Sequence, residues 1–89
     1  MKIGIFGLGY VGCVTAACLS HDGHRVIGVD VNPQKIDLIN NGKSPLIEPG
    51  LEERIASNVQ AGRLSACLDV NEAVRTSDVS LICVGTPSN

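Results

Sequence analysis

Short apolar runs alternate along this chain with stretches of helical period, and the runs break at glycine or proline. Residues 2–6 (Lys-Ile-Gly-Ile-Phe) form one such run leading into glycine, and residues 25–31 (Arg-Val-Ile-Gly-Val-Asp-Val) repeat its character. Near-continuous apolar runs are what parallel strands buried on both faces require. Between them, about residues 10–21 predict a helix rich in small residues, with Gly12, Ala16 and Ala17 on a face able to approach a sheet closely. Gly23 supplies the left-handed stop after that helix. Strand, glycine turn, helix, strand is one βαβ unit, and such crossovers are right-handed in nearly all cases, so the two strands run parallel.

After the second run, Asn32 is placed to cap a helix opening on Pro33, with Ile36, Leu38 and Ile39 directed towards the sheet and a stop near Asn41-Gly42. Residues 42–50 hold two prolines between two glycines, a loop too irregular for either period. A further helix over about residues 51–61 opens with Glu52 and Glu53, where acidic groups oppose the helix dipole, and ends at Gly62. Residues 64–68 read as a weaker third strand. Asn71 is placed to cap a short helix reaching about Thr76, and Val79–Val84 is a fourth strand that delivers the chain to Gly85-Thr86-Pro87. The expected fold is α/β: a Rossmann-type parallel sheet with flanking helices, four strands in the order 3-2-1-4. The chain stops just after a strand, where a doubly wound fold would continue, so the expectation is one incomplete domain over residues 1–89.

Composition narrows the function classes. At 44% hydrophobic and 18% charged residues the balance is globular. A formal net charge of −2 and the lack of any Lys/Arg run remove the electrostatic footprint of a nucleic-acid binder, and 2% aromatic residues leave no base-stacking platform. No apolar stretch approaches the ~20 residues of a membrane span, and the run after Lys2 is shorter than a signal-peptide core, so a cytoplasmic protein is expected. Cys13, Cys18, Cys67 and Cys83 lack CxxC spacing and sit in apolar segments, which reads as reduced, buried thiols. His21 and His24 flank the Gly23 stop, are expected at the surface, and have no metal-spaced partner, so no metal site is expected.

The chemistry concentrates in Gly7-Leu8-Gly9-Tyr10-Val11-Gly12, a G-x-G-x-x-G placed between a strand and a helix. Gly7 permits the tight turn, Gly9 lets the backbone approach a pyrophosphate, and Gly12 lets the helix pack on the strand. The helix start offers free N–H groups and partial positive charge to phosphates, the amides of Tyr10 and Val11 being best placed. An ordinary glycine turn would carry the same letters; the context that argues against it is Asp30, at the end of the second strand about 20 residues on, where a carboxylate meets the adenosine ribose. A 2′-phosphate would face like charge there, and no Arg immediately follows Asp30 to offset it, so NAD is expected rather than NADP. Lys35 lies on the lip of the same pocket, either touching ribose or adenine or standing in solvent. Thr86, at the carboxyl end of strand four beside the switch point, reads as a cofactor contact or as part of a plain Gly-Thr-Pro turn. Cys13 sits in the first helical turn, a place that lowers thiol pKa, yet a side chain inside the pyrophosphate turn packs against the sheet more often than it reacts. The loop Ser44–Gly50 reads as a hinge, a partner contact or a lid, and Glu48 in it has no assigned role.

Three segments carry a family resemblance: Ile5-Phe-Gly-Leu-Gly-Tyr-Val-Gly12, Glu48-Pro-Gly-Leu51 and Ser77-Asp-Val-Ser-Leu-Ile-Cys-Val-Gly-Thr-Pro87, in this order. Together they resemble the N-terminal domain of the UDP-glucose/GDP-mannose dehydrogenase family, over essentially all 89 residues. Within it, Phe6, Leu8 and the run Lys35–Pro45 look most like the GDP-mannose 6-dehydrogenase branch of alginate-type precursor synthesis. The resemblance implies oxidation of a sugar-nucleotide C6 alcohol to a carboxylate by two successive hydride transfers to two NAD. It carries cofactor contacts onto Tyr10, Val11, Asp30, Lys35 and Thr86. The family's catalytic cysteine belongs to a later domain, so the resemblance implies no catalytic residue here. It likewise implies a sugar-nucleotide site, a central dimerising helix and a second Rossmann domain elsewhere, and a homo-oligomer. One departure is the third strand, which lacks the aromatic and threonine many relatives place there. The alternatives are a UDP-glucose 6-dehydrogenase, a non-catalytic dinucleotide sensor of the kind found in ion-channel regulatory domains, and a hydroxyacyl-CoA dehydrogenase.

Overall fold

The apolar runs pair as their pattern requires. A computed structural model describes residues 1–83 and contains β1 (Lys2–Phe6), α1 (Tyr10–His21), β2 (Arg25–Val29), α2 (Pro33–Asn40), α3 (Leu51–Gln60), β3 (Leu64–Cys67), α4 (Val70–Thr76) and β4 (Val79–Ile82). The four strands form one sheet in the order β3-β2-β1-β4, every pairing parallel, as the sequence implies. Register aligns Phe6 with Val29 and with Ile82, and Val29 with Cys67. All four strands therefore end level along one edge, and the loops leaving that edge meet in one place.

One face of the sheet carries the core. Ile3, Ile5, Val26, Leu64 and Ala66 pack with Ala16 and Ala17 of α1 and with Leu51 and Ile55 of α3. Burying a side chain such as Ile5 or Ile55 contributes about 1.5–3 kcal/mol, so aliphatic packing supplies what the near absence of aromatic residues withholds. The small residues of α1 let its backbone approach: a Cβ at Gly12 would fall inside the carbonyl of Gly7. Polar groups caught in this layer are satisfied. The buried Ser20 hydroxyl donates to the Ala16 carbonyl at 2.8 Å, and the buried Asn58 donates to Arg54 O while accepting from Arg63 Nε.

Four local expectations are corrected. Strand β2 ends at Val29, two residues early, which frees Asp30 and Val31 from the ladder. On α2, Ile36 and Ile39 are buried while Leu38 faces solvent, because those two are three residues apart and Leu38 falls off their stripe. Helix α4 is capped by Asp69, whose carboxylate accepts the Glu72 N–H at 3.1 Å. Asn71 lies inside the first turn, since the third strand stops at Cys67 and the helix begins sooner. Among the thiols only Cys13 is buried; Cys18 is exposed, and Cys67 and Cys83 are half-buried. The buried stripe of α1 is Gly12, Cys13, Ala16, Ala17 and Ser20, and Cys18 is turned about 100° beyond Ala17.

Candidate functional site

The level edge of the sheet is where β1 hands the chain to the glycine turn. Gly7 sits at φ +103°, a conformation side chains rarely adopt, and its N–H donates to Val29 O at 2.8 Å, tying the turn to β2. Helix α1 begins at Tyr10 with Gly9 as its N-cap, so no side chain caps it. The intrahelical ladder starts with Cys13 N–H on Gly9 O at 2.9 Å. The amides of Tyr10, Val11 and Gly12 precede that first bond, and together with the dipole they form an anion seat. The Tyr10 and Val11 side chains are exposed, consistent with contributions made through their backbone.

The two inner glycines have different reasons to be bare. At Gly12 protein atoms fill the space a side chain would take, whereas a Cβ at Gly9 would meet no protein atom within 4 Å. Gly9 is also at φ −75°, where other residues are comfortable. Nothing in the protein itself requires glycine there, and the open approach above the helix start fits a ligand that comes close to the backbone.

Asp30 stands beside this seat. Its Oδ2 accepts the Leu8 N–H at 2.8 Å and its Oδ1 accepts the Asn32 N–H at 2.9 Å. Partial burial works against its charged form, but the amides of Leu8, Asn32 and Val31 and the Lys35 ammonium outweigh it, holding the carboxyl below the ordinary aspartate value. Lys35 Nζ lies 4.0 Å from Oδ2, so α2 brings this lysine to the acid. Each carboxylate oxygen keeps a second lone pair for a further donor.

A pocket of about 290 Å³ opens at the same edge, walled by Phe6, Gly7, Val29, Val31, Leu68, Val70 and Ile82, with Asp30 at its rim. Val31 is 92% exposed and Leu68 53% exposed. One carboxylate on an otherwise apolar concavity suits a flat heterocycle joined to a hydroxylated sugar. Sequence reading missed Val31, Leu68 and Val70; the signal was apolar residues just past strand ends. Of the expected contacts, Gly7, Gly9, Tyr10, Val11, Gly12, Asp30 and Lys35 gather here, and Thr86 lies outside the described residues.

Cys13 is buried and packed, as expected of a side chain inside this turn, and not activated by the helix start. Its thiol donates to Leu8 O at 3.3 Å, and burial pushes it up to about 11 against the smaller influence of Lys35, so it is held as a neutral packing group. The loop Ser44–Gly50 faces the other side of α1. It is shaped by Ser44 bonding to Leu46 and by Ser44 N–H on Glu52, and with Tyr10, Cys18 and Arg54 it borders a cleft of about 210 Å³ that Glu48 and Pro49 also line.

Comparison with known proteins agrees with this geometry. The model describing the UDP-glucose/GDP-mannose dehydrogenase family, NAD binding domain, matches residues 1–89. The chain is 65% identical over 88 residues to a GDP-mannose 6-dehydrogenase from Pseudomonas aeruginosa and 48% identical over 88 residues to a UDP-glucose 6-dehydrogenase from Rhizobium meliloti, covering 99% of this chain in each case. A crystal structure of a ternary complex of GDP-mannose dehydrogenase from Pseudomonas aeruginosa superposes on the whole chain with a TM-score of 0.96 and 64% identity. The chain spans about a fifth of the length of each of these relatives.

Proposed function

This chain belongs to the UDP-glucose/GDP-mannose dehydrogenase family, matching its NAD binding domain, and from that premise we propose that it seats NAD for a GDP-mannose 6-dehydrogenase. The observation that carries the substrate is the step in identity, 58–65% to GDP-mannose 6-dehydrogenases against 48% and 41% to UDP-glucose 6-dehydrogenases. In this reading the whole protein oxidises the C6 alcohol of GDP-mannose to GDP-mannuronate, a precursor for alginate-type polysaccharide. It works in the cytoplasm as a homo-oligomer, and residues 1–89 are the N-terminal part of its cofactor domain.

The residues divide the work of binding. The amides of Tyr10 and Val11, with Gly9 bare between turn and helix, take the pyrophosphate. Asp30 accepts from the adenosine ribose hydroxyls and Lys35 steadies the same sugar. Val31, Leu68 and Val70 cover the adenine. Bound NAD supplies the hydride acceptor, and this chain's own part is to orient it. The catalytic thiol and the sugar-nucleotide site belong to portions of the protein beyond these residues.

The test is a full-length protein given NAD with GDP-mannose or UDP-glucose, following NADH absorbance. GDP-mannose turnover yielding two NADH per sugar supports the reading. Preference for UDP-glucose would overturn the substrate, and retained activity with NADP in place of NAD would overturn the role of Asp30.

A further inference from the structure

Leu8, the second residue of the glycine turn, is held by all three of its groups. Its side chain is fully buried. Its N–H donates to Asp30 Oδ2 at 2.8 Å, and its carbonyl accepts the Cys13 thiol at 3.3 Å. The side chain lies on Gly28, in the middle of β2, where an added Cβ would stand 2.8 Å from Leu8 Cδ2 and 3.1 Å from Cδ1. Glycine inside a strand weakens it and marks a site where another group comes close. Here that group is the turn itself.

We propose that Gly28 is a positioning residue for the cofactor, its bare α-carbon setting the height of Leu8 and so of the turn whose amides take the pyrophosphate. The proposal rests on the NAD site described above. Leu8 carries the effect in two directions. Its side chain transmits the position of β2 to the backbone between Gly7 and Tyr10, and its N–H ties that backbone to Asp30, which the Asn32 N–H holds independently at Oδ1. A methyl at position 28 would press on the ends of the Leu8 side chain, which is fully buried in a close-packed layer and has to shift to admit it. The displacement passes to the backbone, where hydrogen bonds to phosphate tolerate only a few tenths of an ångström.

Adenosine and NAD separate the contributions, since adenosine meets Asp30 and the apolar wall while NAD also needs the turn. Both are titrated into the wild-type and Gly28→Ala proteins, with the Leu8 amide resonance followed by NMR. Gly28→Ala is expected to weaken NAD about tenfold, to leave adenosine within about twofold, and to move the Leu8 resonance. Leu8→Ala, which removes bulk instead of adding it, gives the same selective loss. The double variant Gly28→Ala/Leu8→Ala binds NAD better than either single change, because the new methyl fills part of the space the leucine leaves. A purely structural glycine would lower the melting temperature with an unchanged ratio of NAD to adenosine affinity. That result, or no recovery in the double variant, overturns the inference while the NAD site stands. A wild-type protein that takes no NAD overturns the site reading and this inference with it.

Discussion

Asp30 Oδ2 and the Leu8 N–H meet at 2.8 Å across 22 positions of sequence, so the acid just past the end of β2 also fastens the glycine turn that follows β1. The same carboxylate is a structural acceptor and, in the proposed NAD site, the group offered to a ribose, so removing it should disturb two things at once.

Asp30→Asn keeps the size and one oxygen but turns an acceptor into an amide donor that opposes a backbone N–H. A hydrogen bond to a charged group is worth about 1.5–3 kcal/mol, so a stability loss of about that size is expected in urea unfolding. NAD affinity measured by calorimetric titration falls about tenfold or more. Wild-type values for both quantities would remove Asp30 from the site.

The two inner glycines make a paired prediction. Gly9→Ala meets no protein atom and an easy φ, so stability changes by no more than about 0.5 kcal/mol while NAD affinity falls at least about tenfold. Gly12→Ala drives a methyl into Gly7 O and costs about 1–3 kcal/mol or more in thermal unfolding. If Gly9→Ala binds NAD like the wild type, the open space above it is not the ligand's.

The depressed Asp30 pKa gives stability a signed pH dependence. Because the folded value lies below the unfolded one, this contribution is complete above about pH 4 and is lost as pH falls through the lower folded value. Melting temperature recorded between about pH 2 and 6 should drop on the acid side. The drop should be shallower in Asp30→Asn, and parallel curves would show that another carboxylate carries it.

Thiol reactivity should follow exposure and pKa. Mass spectrometry after brief maleimide treatment of the native protein is expected to find Cys18 labelled first, Cys67 and Cys83 more slowly, and Cys13 only on unfolding. Early labelling of Cys13 would contradict its burial and its bond to the Leu8 carbonyl.

Legibility differed by kind of information. The βαβ order, the parallel sheet and its 3-2-1-4 sequence were readable because apolar runs, glycine stops and capping residues are local signals. Asp30 and the glycines were readable for the same reason. Sequence alone does not separate Asp69 from Asn71 as the α4 cap, since both residue types cap well and only the end of β3 decides between them. Hydropathy places Cys18 in the core although it is exposed, because hydropathy records that a segment is apolar but not which side of a helix faces the sheet.

The amino-acid order by itself determined the elements, their parallel stacking and the glycine turn at the start of α1, because each follows from interactions among residues close along the chain. Tertiary structure alone decided what distant residues do to one another: that Leu8 rests on Gly28 and hangs from Asp30, that Val31, Leu68 and Val70 face one concavity, and that Gly9 is open where Gly12 is closed. Those relations arise from the register of neighbouring strands and the close packing of a helix on a sheet, and distances set by packing are not written in any short window of sequence.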